Sequence, residues 1–363
     1  GHIGRPGAGL APIRGHSNVQ GDRTMGINER PSPKLLDSLD RVFGIKSPRE
    51  HGFGVVDTIQ AMYEGDVKVF IGLGGNFAVA TPDTPYTQEG LRRCDLTVQI
   101  ATKLNRSHLV CGKEALLLPC LGRTEVDMQQ HGPQAVSVED SMSNVHLSAG
   151  RNEPASKNLL SEPDIVARMA AAVLPDSDIK WKWYVESYDR IRDSIEDVFD
   201  EFHDFNARVY QPGGFHLEHP ANQHVWNTPV GKAQFLITPL AEVYADKENK
   251  YAEQYTGAKV YTLMTTRSHD QYNTTLYGLD DRYRGVFGQR RVLFMNAEDI
   301  AAAGFVADQW VDIESIYSDG VKRVVQSFRI VPYNIPRGSL AAYYPETNPL
   351  VALSSHDKYA KIP

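Results

Sequence analysis

The chain has 363 residues, 41% of them hydrophobic and 23% charged, enough material for two domains with substantial cores. A formal net charge of -7 and a pI near 6.0 argue against broad binding of nucleic acid or an anionic membrane surface, although a local basic pocket stays compatible with them. No apolar run is long enough to span a bilayer. Cys94, Cys111 and Cys120 lack the spacing of a disulfide framework, a zinc site or an iron–sulfur site, and read as reduced thiols of a cytosolic-type protein.

The opening stretch GHIGRPGAGLAPIRGHSNVQGDRTMG (1–26) announces no helix and no useful strand. Glycines alternate with Arg, His and amide side chains, and the stretch is expected to be poorly anchored. PSPKLLDSLDRVFG (32–44) and VVDTIQAMYEGD (55–66) read as amphipathic helices. VKVFIGLGGN (67–76) reads as a buried strand running into a glycine loop. TQEGLRRCD (87–95) then reads as a helix, with LTVQIAT (96–102) and EALLLPC (114–120) as strands. This alternation points to a partial doubly wound α/β domain.

Residues 131–158 are polar and poorly periodic and are expected to be loop. SEPDIVARMAAAVL (161–174) is a helix capped by Ser161, with Ile165, Met169, Ala172 and Val173 as its apolar face. Residues 179–202 form one long helix or two. A boundary falls within 211–235. Beyond it, KVYTLMTT, RRVLFMN, QWVDIES and KRVVQSFRIV read as strands of a β-rich domain, a closed barrel, with a short helix at AEDIAAAG (297–304).

Four stretches carry chemistry. In GLGGN (72–76), Gly74, Gly75 and Asn76 can bring backbone N–H groups to a phosphate. The spacing is neither GxGxxG nor a Walker loop, and a structural tight turn explains it equally well. MTTRSHDQYNTTLYG (264–278) gathers Arg267, His269, Gln271, Asn273 and Thr274, a set suited to an anionic, hydrogen-bond-rich ligand, with a solvated loop as the plain alternative. Asn348, between two prolines, suits a ligand contact or a buried turn. PIRGHSNVQGDRTMG (12–26) offers Arg14, His16 and Gln20. No GxSxG, HExxH or DFG-type set occurs, so the chain looks equipped to hold a large polar cofactor that performs the difficult step. A binding site for an ordinary nucleotide such as NAD would need a dinucleotide fingerprint, which is missing.

Taken together, RPGAGLAPIRGHSNVQGDRTMG, VFIGLGGNFAVATPD, WNTPVGKAQF, TTRSHDQYNTTLYG, FMNAEDIAAAGFVADQWVDIES and AAYYPETNPL resemble, in order and spacing, the later part of the large subunits of molybdopterin-dependent oxidoreductases, in their formate dehydrogenase-like branch. The resemblance implies a bis(molybdopterin guanine dinucleotide) cofactor with Mo or W. The metal ligand would lie outside this chain, as would any iron–sulfur cluster. It implies that residues 1–220 are the remainder of a third, α/β domain. Residues 221–363 would be a double-psi-type β-barrel domain that lacks its last strand.

By the same resemblance Arg14 orients an anionic substrate, formate being one candidate, while His16 departs from the glutamine frequent in that branch. Gln20 and Gly21 match a loop at the pterin. Gly74, Gly75 and Asn76 match a loop at the guanosine diphosphate, with Thr102 and Asn105 near a nucleotide-contacting loop. Arg267, His269, Gln271, Asn273 and Thr274 lie in the pterin and phosphate loop of the barrel, and Asn348 matches a late cofactor-contacting amide. The implied partners are a small-molecule substrate, the missing N-terminal domains and an electron-transfer subunit, with no nucleic acid or membrane, in the cytoplasm. A catalytically silent structural or binding fragment is the rival reading.

Overall fold

A computed structural model describes residues 1–9, 18–235, 237, 259–272, 276–357 and 361. In chain order, helix α1 spans Val19–Thr24, α2 Pro33–Phe43 and α3 Val55–Glu64. Strand β1 covers Val69–Leu73, followed by the short helix α4 (Phe77–Ala80) and α5 (Thr84–Arg93). Strands β2 (Leu96–Ala101), β3 (Glu114–Pro119), β4 (Asp127–Gln129), β5 (Gly132–Gln134), β6 (Val136–Glu139) and β7 (Asn144–Ser148) come next. Helices α6 (Glu162–Val173), α7 (Trp181–Glu186), α8 (Asp189–Val198) and α9 (Phe205–Val209) precede β8 (Phe215–His216). The remainder comprises β9 (Thr262–Thr266), β10 (Val292–Met295), α10 (Ala297–Ala302), β11 (Trp310–Ser315), β12 (Arg323–Pro332) and β13 (Ser339–Tyr343).

The chain divides into two compact units that interleave along the sequence: Gly1–Gly54, Ile100–Lys103 and Leu117–Phe235 form the first, and Val55–Gln99, Leu104–Leu116 and Leu236–Pro363 the second. In the first unit, Ser32 caps α2 by accepting from the Leu35 N–H at 3.3 Å, and Gly44 ends it at φ +64°. Residues 131–158, expected to be loop, instead supply β5, which pairs with β4 in a hairpin, and β6 and β7, which join β8 in a three-stranded sheet of order β6-β7-β8. The apolar alternation there is short, Val136 and Val138 then Val145 and Leu147, and is interrupted by Ser, Glu and His. Phe202, Phe205, Val209 and Leu217 pack on Val145 to form the local core. Helix α6 follows its expected cap, but Ala172 and Val173 face solvent, and Ile165 and Ala167 are the buried pair. Residues 179–202 form two helices, α7 and α8, followed by a 3-10 turn. The opening stretch also departs from expectation: Val19–Thr24 is helical, and the Asn18 N–H donates to the Glu139 carbonyl at 3.1 Å.

The second unit holds β1 and the first residues of β2 and β3, in the sheet order β1-β2-β3. Leu96 N–H donates to Lys68 O and Glu114 N–H to Asp95 O, so all three strands start at the same edge and run in one direction. Val56, Ile59 and Met62 of α3 and Leu91 of α5 cover one face through Phe70. The expected full burial of β1 is met on that side only, since Val69, Ile71 and Leu73 are each at least 50% exposed. Downstream, five strands in the order β11-β12-β10-β13-β9 form a curled half-barrel. The pairs β10–β12 and β13–β9 are parallel, while β10–β13 and β11–β12 are antiparallel. Met295, Phe328, Ile330 and Ala342 lie at its core. Among the described residues β9 and β11 are its free edges, where the sequence suggests a closed barrel. No described helix is long and apolar enough to cross a membrane.

Candidate functional site

Within the second unit, the loop after β1 is gripped by Asn105 and Ser107. Gly74 and Gly75 sit at φ +69° and +72°, a region costly for residues with a side chain, and a Cβ at either would meet nothing within 4 Å. The backbone N–H groups of Gly74, Gly75 and Asn76 have no acceptor among the described residues. Consecutive unpaired N–H groups on such a backbone form an anion-accepting concavity.

Neutral groups hold this concavity open. Asn105 donates from Nδ2 to the Gly75 carbonyl at 2.7 Å and accepts from the Ser107 N–H at 2.9 Å. Ser107 Oγ donates to Asn76 Oδ1 and accepts from the Ala78 N–H, both at 2.9 Å. His108 Nδ1 accepts from the Asn105 N–H at 3.0 Å, completing a capping box. Asn348 is 4% exposed, and its amide donates to the carbonyls of Val79 and Ala80 at 2.8 and 3.0 Å. The amide marked in the sequence as a cofactor contact therefore fastens α4, which follows the glycine loop. The Tyr344 hydroxyl adds a bond to Ala80 O at 2.9 Å.

The loop after β9 is held differently. Arg290, 5% exposed, donates to Glu346 Oε1 at 2.8 Å, Ser268 Oγ at 2.7 Å, Tyr344 O at 3.0 Å and Gln271 Oε1 at 3.1 Å. The Tyr277 ring lies 3.8 Å from its guanidinium carbon. Gln271 also donates to Tyr344 O at 3.1 Å, so this predicted ligand residue fixes its own loop. Arg267 lies 5.6 Å from the Tyr344 ring and makes no ion pair among the described residues. His269 Nδ1 lies 3.3 Å from Asp281 Oδ1, which makes no proper hydrogen bond there. Burial alone would raise the Asp281 carboxyl, yet bonds from Arg284 at 2.6 Å and Tyr343 at 2.9 Å and the Arg284 charge hold it below the usual carboxylate range.

Other predicted residues are placed elsewhere. Arg14, His16, Asn273 and Thr274 lie outside the described residues. Gln20 and Gly21 are in α1 of the first unit, where a Cβ on Gly21 would lie 2.2 Å from Asn18 Oδ1 and would displace it from the Glu139 N–H. Thr102 is exposed in the first unit, whereas Asn105 belongs to the second. Sequence reading missed Ser107, His108 and Arg290. An Arg opening a strand reads as exposed, and its only signal is a distant acid, Glu346.

No group of three or more His, Cys, Asp or Glu among the described residues could hold a metal. Cys94 and Cys120 are buried and Cys111 half-buried, all three free; burial pushes the Cys120 thiol up to about 11.

Residues 261–363 match the molydopterin dinucleotide binding domain. The chain is 52% identical over 359 residues to an uncharacterized oxidoreductase of Mycobacterium tuberculosis, covering 97% of this chain and 45% of that protein. It is 45% identical over 365 residues to protein YdeP of Escherichia coli K12, covering 100% of this chain and 47% of that protein. The chain thus spans about half the length of the curated relatives it matches. Among solved structures, acetylene hydratase from Pelobacter acetylenicus shares the fold at a TM-score of 0.53, with 13% identity, over 86% of this chain and 42% of the other.

Proposed function

Proceeding from a molybdopterin dinucleotide-binding domain and relatives named as oxidoreductases, we propose that this chain is part of a molybdopterin guanine dinucleotide-dependent oxidoreductase of the formate dehydrogenase-like branch. The observation that supports this reading most is the glycine loop: three N–H groups with no acceptor among the described residues, open space beside Gly74 and Gly75, and a supporting knot that contains no carboxylate. Those residues fit a dinucleotide diphosphate, because each N–H can donate to an anionic oxygen without displacing an existing bond.

In this reading Gly74, Gly75 and Asn76 bind a phosphate of a bis(molybdopterin guanine dinucleotide), with Asn105 and Ser107 as positioning residues. Arg267 offers a cation with no carboxylate beside it among the described residues. Arg14 orients an anionic substrate such as formate by a charge-assisted bond. Residues 1–220 belong to the third, α/β domain of the parent, and the half-barrel completes a double-psi barrel. The bound cofactor supplies a two-electron redox step at Mo or W. The metal ligand, any iron–sulfur cluster and the contact to an electron-transfer subunit belong to the rest of a cytoplasmic parent protein.

The test is the metal and pterin content of a full-length homologue purified from molybdate-supplied cells. Pterin with bound metal is expected, and a folded homologue without pterin would sink the reading. Retention of molybdopterin guanine dinucleotide by the isolated chain separates a working half-cradle from a silent fragment.

A further inference from the structure

We propose that Glu139 receives the 2-amino-4-oxopyrimidine edge that pterin and guanine share, a contact that rests on the molybdopterin reading above. Glu139 ends β6 and is clamped by its backbone: its N–H donates to Asn18 Oδ1 at 3.0 Å, and its carbonyl accepts from the Asn18 N–H at 3.1 Å. Its side chain starts toward α1, where a Cβ on Gly21 would lie 3.3 Å from the Glu139 Cβ. The residue is 4% exposed, and neither carboxylate oxygen has a hydrogen-bond partner among the described residues. Each of the other buried acids among the described residues has at least one cation beside it, Asp281 through Arg284 on one of its two oxygens. Asp83 takes Arg323, Asp164 takes Arg168, and Asp299 takes Arg337 and the Gly338 N–H.

A carboxylate shut from water without a donor is among the most costly groups a fold can contain. What satisfies it is a planar fork of two N–H groups spaced to match its two oxygens. A guanidinium is one such fork. The ring N–H and exocyclic amine of a 2-amino-4-oxopyrimidine are another. A phosphate is excluded, since like charges would face each other in a dry site. The same backbone clamp holds α1, which carries Gln20 and Gly21, beside Glu139.

The experiment uses the 363-residue chain and its Glu139→Gln variant, with thermal unfolding of the unloaded proteins and titrations of pterin and of GMP as separate probes. The variant should melt higher by about 2 °C or more, because a neutral amide replaces an uncompensated carboxylate. It should also bind its ring ligand on the order of tenfold more weakly. The probe whose binding is lost identifies the ring. Glu139→Asp, which keeps the charge and withdraws it by one carbon, should weaken binding without the gain in melting temperature. A lower melting temperature for Glu139→Gln would mean that a cation of the chain itself holds the carboxylate, and would overturn the proposal. So would unchanged binding of both probes, or no binding of either by the native chain. In the full-length parent, pterin content that survives Glu139→Gln overturns this contact alone. A parent with no pterin overturns the functional reading as well.

Discussion

The glycine loop after β1 and the arginine-held loop after β9 belong to one unit, joined through Tyr344, yet are fixed by opposite means. Amides and hydroxyls hold the first: Asn105, Ser107 and Asn348 tie its carbonyls and side chains and leave its N–H groups outward. One buried cation holds the second, with Arg290 gathering Glu346, Ser268, Gln271 and Tyr344. Neutral bonds leave the first loop without a competing charge, so an anion meets only donors. In the second loop the arginine beside Glu346 is already neutralised and buried, which makes Arg267 the cation available to a ligand.

The sharpest way to break this contrast is Arg290→Met. It strands Glu346, whose side chain is only 15% exposed, and should cost about 3–5 kcal/mol in urea unfolding. A loss below about 1 kcal/mol would mean that the loop does not depend on its buried cation. Asn105→Ala should cost less, about 1–3 kcal/mol, while weakening GDP binding measured by calorimetry. Equal losses of binding in Asn105→Ala and a surface control would remove the positioning role. Gly75→Ala places a side chain at φ +72° where nothing lies within 4 Å, so backbone strain of about 1–2 kcal/mol is the whole expected effect.

The smallest effect is the pH response of Asp281. Its folded value lies below the ordinary carboxylate value, so it stabilises the fold above about pH 4 and loses that contribution as acid drives protonation through the lower folded value. Asp281→Asn should therefore be less stable than the native chain at neutral pH and approach it as pH falls. Parallel stability curves between pH 7 and 3 would show that Asp281 is not so linked.

Local signals made much of the fold legible. Ser32 and Ser161 capped the helices that follow them, and the apolar run 69–73 led into the glycine loop as expected. Helix α1 was missed because Val19, Gly21, Asp22 and Thr24 favour it weakly; its anchor is Asn18 on Glu139, more than a hundred residues away. Strands β6 and β7 were missed because each shows one buried apolar residue, Val138 or Val145, among polar neighbours. In the candidate site, glycines and Asn105 were readable from their positions after strands. Ser107, Arg290 and Glu346 were not, since only the β topology brings Arg290 within reach of an acid 56 residues later.

If Gly74–Asn76 and Asn105 cradle a guanine dinucleotide form of the cofactor, the full-length protein from molybdate-supplied cells carries it. The measurement is the pterin and GMP released on acid hydrolysis, in native protein and in Asn105→Ala. The account predicts both compounds in the native protein and a loss on the order of tenfold in the variant at unchanged folded yield. Native protein without either compound, or a variant retaining the native amount, would contradict it.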